Sequence, residues 1–500
     1  MKLARFIVPA FPRANIFSHI EIPPLGIVNV ASAANRVDDW MVEIIEENNY
    51  RGPRDRNGLP DHESLQKENP ASVVGFYCGL SSTMDRVFEL SRLYRAHGTI
   101  NIAGGWHAHY CPEEMLNNDL DIVVHGDGEI AIQQILTALA SGGKFADIPG
   151  VSFREDGKQV TNPPQMLELP DLNKLPYPDF GLIRYLEKIK IYPVGRVRGC
   201  RMNCEFCSVK GKPRWASPRY AFDVVSWLVK TRDARKFFIV DDRLEENIEG
   251  TLRFFRLIHE KYGDSLSFSV QIRLEAAKNQ EFLEVMKKAG VGMVCVGYES
   301  PIDEDLRAMR KGYSSRHMVE WTRILRRYFW VHGMFIFGYP NKQRSEISVS
   351  EMTKRFKTFI REAQISSIQI LHPVPIVGTD LRKRLEGEGR IFPLALVPWS
   401  MYDGNYACFW PENMSLKEFQ ETPIKLMRWF YSSFSFLKIL LRWLSFHRLL
   451  KGRRHWRYGW LREAMRYYGH RVVSKWQKRQ DSKLFLSKLE NYGRGGVDAR

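Results

Sequence analysis

The sequence predicts an α/β protein with two strand–helix regions, followed by a basic helical region. Short apolar runs alternate with helical patterns through residues 1–150 and again through residues 191–410. This alternation is typical of parallel sheets whose strands are joined by helices. A proline-rich stretch separates the two regions, and from residue 411 onward aromatic and basic residues replace the alternation. We therefore expect a doubly wound sheet, then a partial (β/α) barrel, then C-terminal helices.

The composition supports globular domains in a reducing compartment. The 500 residues suggest two to four domains, and 44% hydrophobic with 26% charged residues exclude wholesale disorder or a fibrous protein. Lys and Arg number 74 against 57 Asp and Glu, and the resulting net charge of +17 suits an anionic partner such as nucleic acid or a membrane surface. Seven cysteines do not make a disulfide scaffold. The N-terminus lacks a signal-peptide core, and no apolar run reaches the length of a membrane span.

The first region has the element order of a doubly wound sheet. Its strand patterns occupy residues 4–10, 41–47, 72–78, 100–105 and 121–129, and its helical patterns occupy 26–37, 84–98 and 131–140. Loops after such strands form a ligand crevice, and their glycines let a ligand approach the backbone. We therefore predict cofactor contacts from these loops, at Leu25, Gly26, Ser81, Gly104, Gly105, His107, Gly126, Gly128 and Glu129. The alternative is that the loops are only the tight turns of an open sheet.

Residues 151–190 are expected to connect the two regions. A hairpin is predicted around Asp156-Gly157, and a proline-rich linker follows it. Beyond the linker, residues 191–410 contain six strand patterns, at 192–199, 236–242, 266–273, 291–300, 331–340 and 366–375. The first five are each followed by a helical pattern. Six such units predict a partial or full TIM-like barrel, whose chemistry lies at the carboxyl ends of its strands.

The most specific motif is GCRMNCEFC, which follows the first barrel strand. It contains Cys200, Cys204 and Cys207 with the spacing C-x3-C-x2-C. Three thiolates on one loop can bind three irons of a [4Fe–4S] cluster and leave the fourth iron open for another ligand. A structural zinc site normally has four protein ligands, but the next cysteine is Cys295 and the next histidine is His259. Ordinary cysteines, or zinc with a distant ligand, are the alternatives.

This loop, with Phe206 before its last cysteine, resembles that of the radical S-adenosylmethionine (SAM) superfamily, and the resemblance extends over residues 192–375. It implies that the open iron binds the amino and carboxylate groups of SAM, whose one-electron cleavage gives a 5′-deoxyadenosyl radical. The barrel would shield that radical from water. The resemblance also implies SAM contacts from residues in the loop and at strand ends, namely Phe206, Asp241, Asp242, Gln271, Arg273 and Glu299. A structural salt bridge in the barrel rim is the alternative for each charged residue.

The first region resembles the cobalamin-binding domain that precedes the barrel in class B radical SAM proteins. The resemblance rests on PPLGIVNVAS, VVGFYCGLSS, IAGGWHAHYCPEEML and DIVVHGDGE. Class B includes hopanoid methylases and the anaerobic Mg-protoporphyrin ester cyclase group, and it implies a flavodoxin-like or Rossmann-like sheet that binds cobalamin. The sequence departs from other cobalamin proteins because it lacks Asp-x-His-x-x-Gly, whose histidine is the lower cobalt ligand. Either cobalamin binds without such a histidine or the domain has lost it. His19, His107 and His109 are the histidines that could face the corrin.

The four remaining cysteines exclude a second cluster. Cys78 and Cys111 lie in the first region, and Cys295 and Cys408 lie in the second. This distribution differs from that of tRNA methylthiotransferases and of peptide-maturing radical enzymes with auxiliary clusters. Cys295 lies in an apolar strand and is expected to be buried. We predict that Cys408, in GNYACFWPENMS, is a catalytic hydrogen donor or thiyl relay, with a packed cysteine as the alternative.

Residues 411–500 are expected to form basic, aromatic helices. Between about 424 and 480, Arg and Lys alternate with Trp, Tyr, Phe and Leu. Such helices either cap the barrel with a solvated basic face or contact an anionic membrane. Nucleic-acid binding is not expected, because no RNA-binding signature accompanies the charge.

The leading hypothesis is therefore a radical SAM methyltransferase. It would use a [4Fe–4S] cluster, SAM and cobalamin to methylate an unactivated carbon of a small hydrophobic or lipid-like substrate, with an external electron donor of the flavodoxin or ferredoxin type. The rival enzyme uses the same radical without methyl transfer, for oxidative cyclisation, ring contraction or C–C bond formation. The non-enzymatic alternative is an iron–sulfur redox protein on the same scaffold. The expected location is the cytoplasm, with peripheral contact at the inner membrane face if the C-terminal helices bind lipid.

Overall fold

Two sheets organise the chain. A computed structural model describes residues 1–12, 22–162, 169–185, 189–341, 347–432 and 482–496. Its two large sheets contain seven and six strands. The seven-stranded sheet lies in the first region of the sequence, and the six-stranded sheet lies in the second.

The N-terminal sheet contains β1 Lys2–Val8, β2 Trp40–Glu46, β3 Val73–Tyr77, β4 Ile100–Gly104, β5 Ile122–Val124, β6 Val151–Glu155 and β7 Lys158–Thr161. Their order is β2-β1-β3-β4-β5-β6-β7. The first five are parallel, and β6 and β7 are the predicted hairpin. The chain moves from β1 to β2 on one side and returns to β3 on the other. Ligands bind at the carboxyl edge beside such a reversal.

Helices cover both faces of this sheet. They are α1 Leu25–Ala34, α2 His62–Glu68, α3 Met84–Ala96, α4 Trp106–Tyr110, α5 Pro112–Leu116 and α6 Gly128–Ser141. Helices α1 and α6 bury Ile27 and Ile132 in one apolar cluster with Phe6. Helix α3 buries Leu90 in the opposite cluster with Phe76. Burial on both faces explains why runs such as VVGFY are almost continuously apolar.

The second region contains β8 Tyr192–Val194, β9 Val197–Arg198, β10 Arg214–Trp215, β11 Lys236–Ile239, β12 Ser267–Ile272, β13 Val291–Glu299, β14 Trp330–Ile336 and β15 Ser367–Leu371. The six-stranded parallel sheet has the order β15-β14-β13-β12-β11-β8. Strands β9 and β10 form a separate antiparallel pair. In the described residues β8 and β15 do not pair with each other, so the barrel is partial.

Helices follow the strands as the sequence predicts. They are α7 Pro218–Arg232, α8 Ile248–Tyr262, α9 Gln280–Lys288, α10 Asp303–Ala308, α11 Met318–Tyr328, α12 Val349–Glu362, α13 Asp380–Gly387, α14 Leu416–Phe430 and α15 Ser482–Gly496. Helix α7 begins at Ser217, whose hydroxyl accepts from the amide of Tyr220, and has proline at its first position. Helix α8 buries Phe255 against Phe268 of β12, with ring centroids 5.9 Å apart. Helix packing of this kind closes the core behind the sheet.

The strand predicted over residues 192–199 is wrong in its extent. Residues 192–199 were expected to form a single strand, but β8 ends at Val194 and β9 is a separate two-residue strand. The cause is Asp241, whose Oδ1 accepts from the amides of Arg196 and Val197 at 2.5 and 2.9 Å. These two amides therefore bond to a side chain instead of to a neighbouring strand, and the β8 ladder ends before them.

The predicted C-terminal helices are described only in part. Helix α14 begins with a reciprocal cap between Ser415 and Glu418, and α15 packs Phe485 against Tyr406, with ring centroids 5.2 Å apart. Residues 433–481, which include most of the basic aromatic stretch, lie outside the described residues. Among the helices that are described, none combines the length and the apolar character needed to span a membrane.

Candidate functional site

A cavity of about 830 Å³ lies between the two sheets. One wall consists of the loops that follow strands of the N-terminal sheet, including Leu25, Gly104 and Gly126. The other wall consists of Arg198, Asp242 and the segment 209–212, which follows the last cysteine of the GCRMNCEFC loop. The volume lies in the upper part of the range for small-molecule sites. The carboxyl edge of the first sheet and the entry to the second therefore share one ligand space.

Part of the N-terminal wall is bare backbone at its glycines. A methyl group added at Gly26 or Gly104 would meet no other atom within 4 Å, so both glycines face open space in the cavity. Gly105 has φ +122°, and an added Cβ would lie 2.7 Å from the backbone carbon of Cys78. Only glycine fits this turn without strain. The glycines therefore leave space for a ligand against the backbone, and a larger side chain would occupy that space.

An apolar slot extends from the cavity between the sheet and helices α1 and α6. Its lining includes Phe6, Gly75, Ile102, Val124 and Ile132. Phe6 and Gly75 are partners in the β1–β3 register, and an added Cβ at Gly75 would lie 2.6 Å from the Phe6 ring. Glycine at this position lets the phenyl ring lie across β3. The slot has the chemistry to receive a flat apolar group.

Seven of the nine predicted loop residues line the cavity: Leu25, Gly26, Gly104, Gly105, Gly126, Gly128 and Glu129. The other two, Ser81 and His107, lie behind the wall. His107 is 1% exposed, and its two ring nitrogens contact Ser81 Oγ at 2.9 Å and Glu114 Oε2 at 3.0 Å. Because both nitrogens are engaged in packing α4, the structure does not bring His107 or Ser81 to the ligand space.

Two residues of the same helix line the cavity instead. Trp106 is 40% exposed and His109 lies one turn further along α4. We did not predict Trp106, although an aromatic residue directly after two glycines at a strand end was the available signal. His109 Nδ1 lies 3.2 Å from His125 Nδ1, and His125 Nε2 lies 2.7 Å from Ser152 Oγ. Burial lowers the pKa of both imidazoles, and the neighbouring His109 lowers that of His125 further.

Ion pairs join the two walls. Arg198 contacts Glu129 at 2.6 Å and Asp127 at 3.0 Å, and Arg214 contacts the same Asp127 at 2.5 Å. Burial opposes ionisation of Asp127, yet the two guanidinium groups hold the pKa of its carboxyl below its usual value. Glu129 therefore lines the cavity with its charge already paired across the domain boundary.

The cysteine loop lies between β9 and β10. The amide of Met202 donates to Cys200 Sγ at 3.5 Å, and the amide of Cys207 donates to the carbonyl of Cys204 at 3.2 Å. Burial raises the pKa of the Cys200 and Cys207 thiols, so both are protonated at neutral pH when no metal is bound. The loop thus supplies three free cysteines, and Cys204 is buried.

The spacing of the three sulfur atoms argues against a single metal ion. Within the described part of the chain, the only three His, Cys or acidic ligand atoms found within 4.8 Å of one another belong to His107, Cys111 and Glu114. Tetrahedral zinc with bonds of 2.3 Å would hold its sulfur atoms about 3.8 Å apart. The wider spread of the cysteine sulfurs instead suits ligands to separate irons of one cluster.

Three of the predicted SAM residues meet beside this loop. Lys311 Nζ lies 2.6 Å from Glu299 Oε1 and 5.8 Å from the centre of the Phe206 ring. Arg273 Nη2 lies 2.5 Å from the carbonyl of Lys311 and 2.7 Å from Glu275. Lys311, which we did not predict, therefore connects Phe206, Glu299 and Arg273. No local pattern marks it, because it follows α10 rather than a strand.

Glu299 has an unusual backbone. Its φ is 60°, a conformation that few residues other than glycine adopt. The β13–β14 register also shifts between Gly297 and Glu299, so the carboxylate occurs at an irregular end of the strand. Such strain is common where a fold holds a functional side chain in place.

The other three predicted SAM residues, Asp241, Asp242 and Gln271, do not join this group. Asp241 is buried, burial raises its pKa to about 6, and its Oδ1 holds the backbone after β8. Asp242 accepts from the Gly199 amide at 2.6 Å and lines the cavity. Gln271 is exposed on β12, in register with the buried Cys295.

Cys408 lies in the packed core rather than in the lining of the cavity. Its side chain is fully buried, and its thiol donates to the carbonyls of Tyr406 at 3.5 Å and Met401 at 3.7 Å. It packs in an apolar cluster with Phe409 and does not line the cavity. Burial raises the pKa of this thiol well above its ordinary value. The structure thus places Cys408 among packed residues outside the cavity lining, and its catalytic role stays a prediction.

The residues present fit the predicted cofactors. Three free cysteines on one short loop suit an iron–sulfur cluster with one open iron. The bare wall at Gly26 and Gly104 and the apolar slot at Gly75 suit a broad, flat macrocycle that carries an apolar appendage. The cysteines that would bind the cluster and the glycines that would contact the macrocycle thus lie in different parts of the structure.

Two family models match the chain. The radical SAM superfamily model matches residues 195–349, and the B12 binding domain model matches residues 18–136. The first match covers the cysteine loop and most of the second sheet. The second covers the glycine loops of the N-terminal sheet. Both resemblances stated from the sequence are therefore confirmed, and so are the iron–sulfur cluster, SAM and cobalamin as cofactors.

Sequence relatives include several methyltransferases. An uncharacterized methyltransferase of Pyrococcus horikoshii is 26% identical over 378 residues, which are 72% of this chain and 77% of the relative. The cytidylyl-2-hydroxyethylphosphonate methyltransferase of Streptomyces wedmorensis is 25% identical, with 76% and 82% covered. The hopanoid C-2 methylase of Rhodopseudomonas palustris is 24% identical, with 74% and 65% covered. The named substrates of the last two differ widely in polarity.

A solved structure shares the fold. The radical SAM methyltransferase TsrM from Kitasatospora setae, with cobalamin and a [4Fe–4S] cluster bound, superposes with a TM-score of 0.67 at 15% identity. The match covers 95% of this chain and all of the TsrM chain. The two proteins therefore share their overall fold.

Proposed function

Because the chain is a radical SAM protein with an N-terminal B12-binding domain, we propose that it methylates an unactivated carbon of a hydrophobic substrate. One observation carries the proposal: the glycine wall of the first sheet and the segment after the cluster cysteines line the same cavity. Methyl transfer between two cofactors and a substrate requires all three to meet in one enclosed space. A cavity shared by both sheets supplies that space.

The residues of the chain bind and orient the cofactors. When bound, the cluster and SAM supply a 5′-deoxyadenosyl radical, and cobalamin supplies the methyl group. Cys200, Cys204 and Cys207 hold the cluster. Lys311 and Glu299 present a paired ammonium and carboxylate beside the cysteine loop, where they can exchange partners with the charged groups of SAM.

The glycine wall orients the corrin by shape. Gly26 and Gly104 leave room against the backbone, and the slot beside Gly75 admits an apolar appendage. Glu129 also lines the cavity, but its carboxylate is already paired with Arg198, so a bound corrin would not leave it without a counter-charge.

Apolar linker residues support a hydrophobic substrate. Leu169, Leu172, Leu175 and Pro178 line the cavity, and Leu169 is 54% exposed. Exposed apolar groups beside a ligand space favour an apolar ligand, because its binding removes them from water. Such a surface also excludes water from the site, which protects a reactive radical.

We also propose an electron-donor protein as a partner of the enzyme. A radical SAM enzyme needs an external electron, and a net charge of +17 suits an acidic donor protein of the flavodoxin or ferredoxin type.

We further propose a cytoplasmic location, with peripheral membrane contact through residues 411–500. Vesicle flotation of the full chain and of a chain that ends at residue 414 tests the membrane contact. Equal flotation of the two chains would remove it.

The function is tested with SAM that carries a trideuterated methyl group. The anaerobically reconstituted protein, supplied with hydroxocobalamin and a low-potential reductant, should release 5′-deoxyadenosine and transfer the deuterated methyl to the corrinoid fraction. The Cys204→Ala protein, handled identically, should release no 5′-deoxyadenosine. Release of 5′-deoxyadenosine with the label found only in methionine would support the rival radical reaction instead.

A further inference from the structure

A histidine faces the cavity although the usual cobalt-ligand motif is absent. The sequence contains no Asp-x-His-x-x-Gly. Helix α4 nevertheless brings His109 to the cavity, one turn after the bare glycines Gly104 and Gly105. Among the described residues that line the cavity, His109 is the only histidine.

A chain of hydrogen bonds leads away from His109. Its Nδ1 lies 3.2 Å from His125 Nδ1, and His125 Nε2 lies 2.7 Å from Ser152 Oγ. Ser152 Oγ in turn lies 2.7 Å from Thr161 Oγ1 of β7. These residues come from α4, from the end of β5 and from both strands of the hairpin. The imidazole of His109 therefore contacts His125, which is in turn held by the hairpin.

These hydrogen bonds leave Nε2 of His109 free to bind a ligand. Nδ1 is engaged by His125, and in the described part of the chain Nε2 has no hydrogen bond. If His109 donates from Nδ1 to His125, then His125 donates from Nε2 to Ser152, and His109 Nε2 holds a lone pair. A histidine that ligates a metal commonly has this arrangement, because a hydrogen bond at the other nitrogen fixes its tautomer and orientation.

We propose that His109 Nε2 is an axial ligand of the cobalt of bound cobalamin, and that His125 and Ser152 are its positioning residues. The inference rests on the proposed function, because it requires cobalamin in the cavity. The chain thus supplies a cobalt ligand from the helix after β4, although the usual motif is missing. His107 cannot fill this role, since both of its nitrogens are engaged away from the cavity.

Electron paramagnetic resonance tests the ligand without any measure of turnover. The full-length protein is loaded with hydroxocobalamin and reduced to the cob(II)alamin state, in which an axial nitrogen splits each cobalt line. We expect a threefold splitting in unlabelled protein and a twofold splitting when only the histidines carry ¹⁵N. A splitting that the label does not change would assign the ligand to the base of cobalamin and overturn the proposal.

Variants identify the residue. His109→Ala should still bind cobalamin, because the glycine wall holds it by shape, but it should lose the nitrogen splitting. His97→Ala is the matched control, since His97 belongs to the same domain and pairs with Glu63 outside the cavity. We expect His97→Ala to keep the splitting. Splitting that persists in His109→Ala would overturn the proposal.

The positioning residues have their own readout. We expect His125→Ala to reduce the fraction of cobalt with the split signal at least twofold, and His125→Asn, whose amide oxygen can accept from His109, to restore part of it. An unchanged fraction in His125→Ala would remove the positioning role.

Failure of this inference is distinguishable from failure of the proposed function. Wild-type protein that binds cobalamin without nitrogen splitting would overturn the ligand alone. Wild-type protein that binds no cobalamin would overturn both.

Discussion

The glycine loops of the first sheet and the residues beside the cluster loop differ in character. In the glycine loops, which line the cavity, Gly26 and Gly104 expose backbone and leave open space. Beside the cluster loop, the residues are charged and paired, as in Lys311 with Glu299 at 2.6 Å. The first region suits recognition of a ligand by shape, and the second suits recognition by charge.

This difference matches the chemistry of the two small cofactors. A corrin is broad, and exposed backbone at Gly26 and Gly104 lets it approach the sheet closely. SAM carries an ammonium, a carboxylate and a sulfonium, and buried charges are stable only when they are paired. The comparison therefore predicts that substitutions in the two regions have separable effects.

The largest effect is expected from the cluster loop. Cys204→Ala removes one of three iron ligands, and the cluster should be lost because two thiolates do not retain it. We expect the iron content to fall to background and 5′-deoxyadenosine formation to be abolished, while cobalamin binding persists. Cys111→Ser is the control, since Cys111 lies outside the loop. Iron analysis of both variants checks the prediction, and full iron retention in Cys204→Ala would refute it.

The next effect concerns the buried ion pair. Lys311→Met leaves Glu299 charged and without its cation, and we expect the free energy of unfolding to fall by about 3 kcal/mol. Replacing both residues, as Lys311→Met with Glu299→Gln, should restore most of this loss because no unpaired charge remains. Urea unfolding measures it.

The exposed ion pair of Lys354 and Glu351 is the control for the buried pair of Lys311 and Glu299. Lys354 pairs with Glu351 at 4.0 Å, and its side chain is 78% exposed. We expect Lys354→Met to change the free energy of unfolding by less than about 1 kcal/mol, because solvent screens exposed charges. Equal losses in Lys311→Met and Lys354→Met would contradict a buried, paired charge beside the cluster loop.

The glycine wall is tested by adding side-chain volume rather than by changing charge. Gly104→Leu places a side chain in the open cavity, so we expect cobalamin affinity to fall about 100-fold, or about 2.7 kcal/mol. Gly387→Leu is the matched control, because an added Cβ there also meets no atom within 4 Å but lies outside the cavity. Spectrophotometric titration with hydroxocobalamin compares the two. Unchanged affinity in Gly104→Leu would show that the corrin does not lie against this wall.

The smallest effect is a pH dependence at Asp241. Burial raises the pKa of Asp241 to about 6, above its unfolded value of 3.8. The folded state therefore favours the protonated acid, and stability from this group is lost as the pH rises from about 4 to 6. We expect the stability of Asp241→Asn relative to wild type to increase by roughly 1 kcal/mol between pH 5 and 7. Urea unfolding at both pH values measures it, and a pH-independent difference would contradict the raised pKa.

Local sequence patterns predicted the fold and the cluster loop. Strands such as Val73–Tyr77 are short apolar runs between turn signals, and Cys200, Cys204 and Cys207 are neighbours along the chain. Features of this kind need no knowledge of distant contacts. The glycines at 104 and 105 were visible for the same reason, because they directly follow a strand.

Contacts between distant residues could not be predicted from the sequence. Lys311 meets Phe206 across more than 100 residues, and His109 meets His125 only because β4 and β5 are adjacent. Cys408 lies in a segment rich in aromatic residues, and only packing determines whether its thiol faces a ligand. In each of these cases the tertiary arrangement, rather than the local pattern, sets the chemical role.

The central claim is that both cofactor systems occupy one chain and meet in its shared cavity. The most direct test is metal analysis of the full chain, reconstituted anaerobically with iron, sulfide and hydroxocobalamin and then freed of unbound material. The account predicts about four irons and about one cobalt per chain in the same sample. Cobalt without iron, iron without cobalt, or neither metal would contradict it.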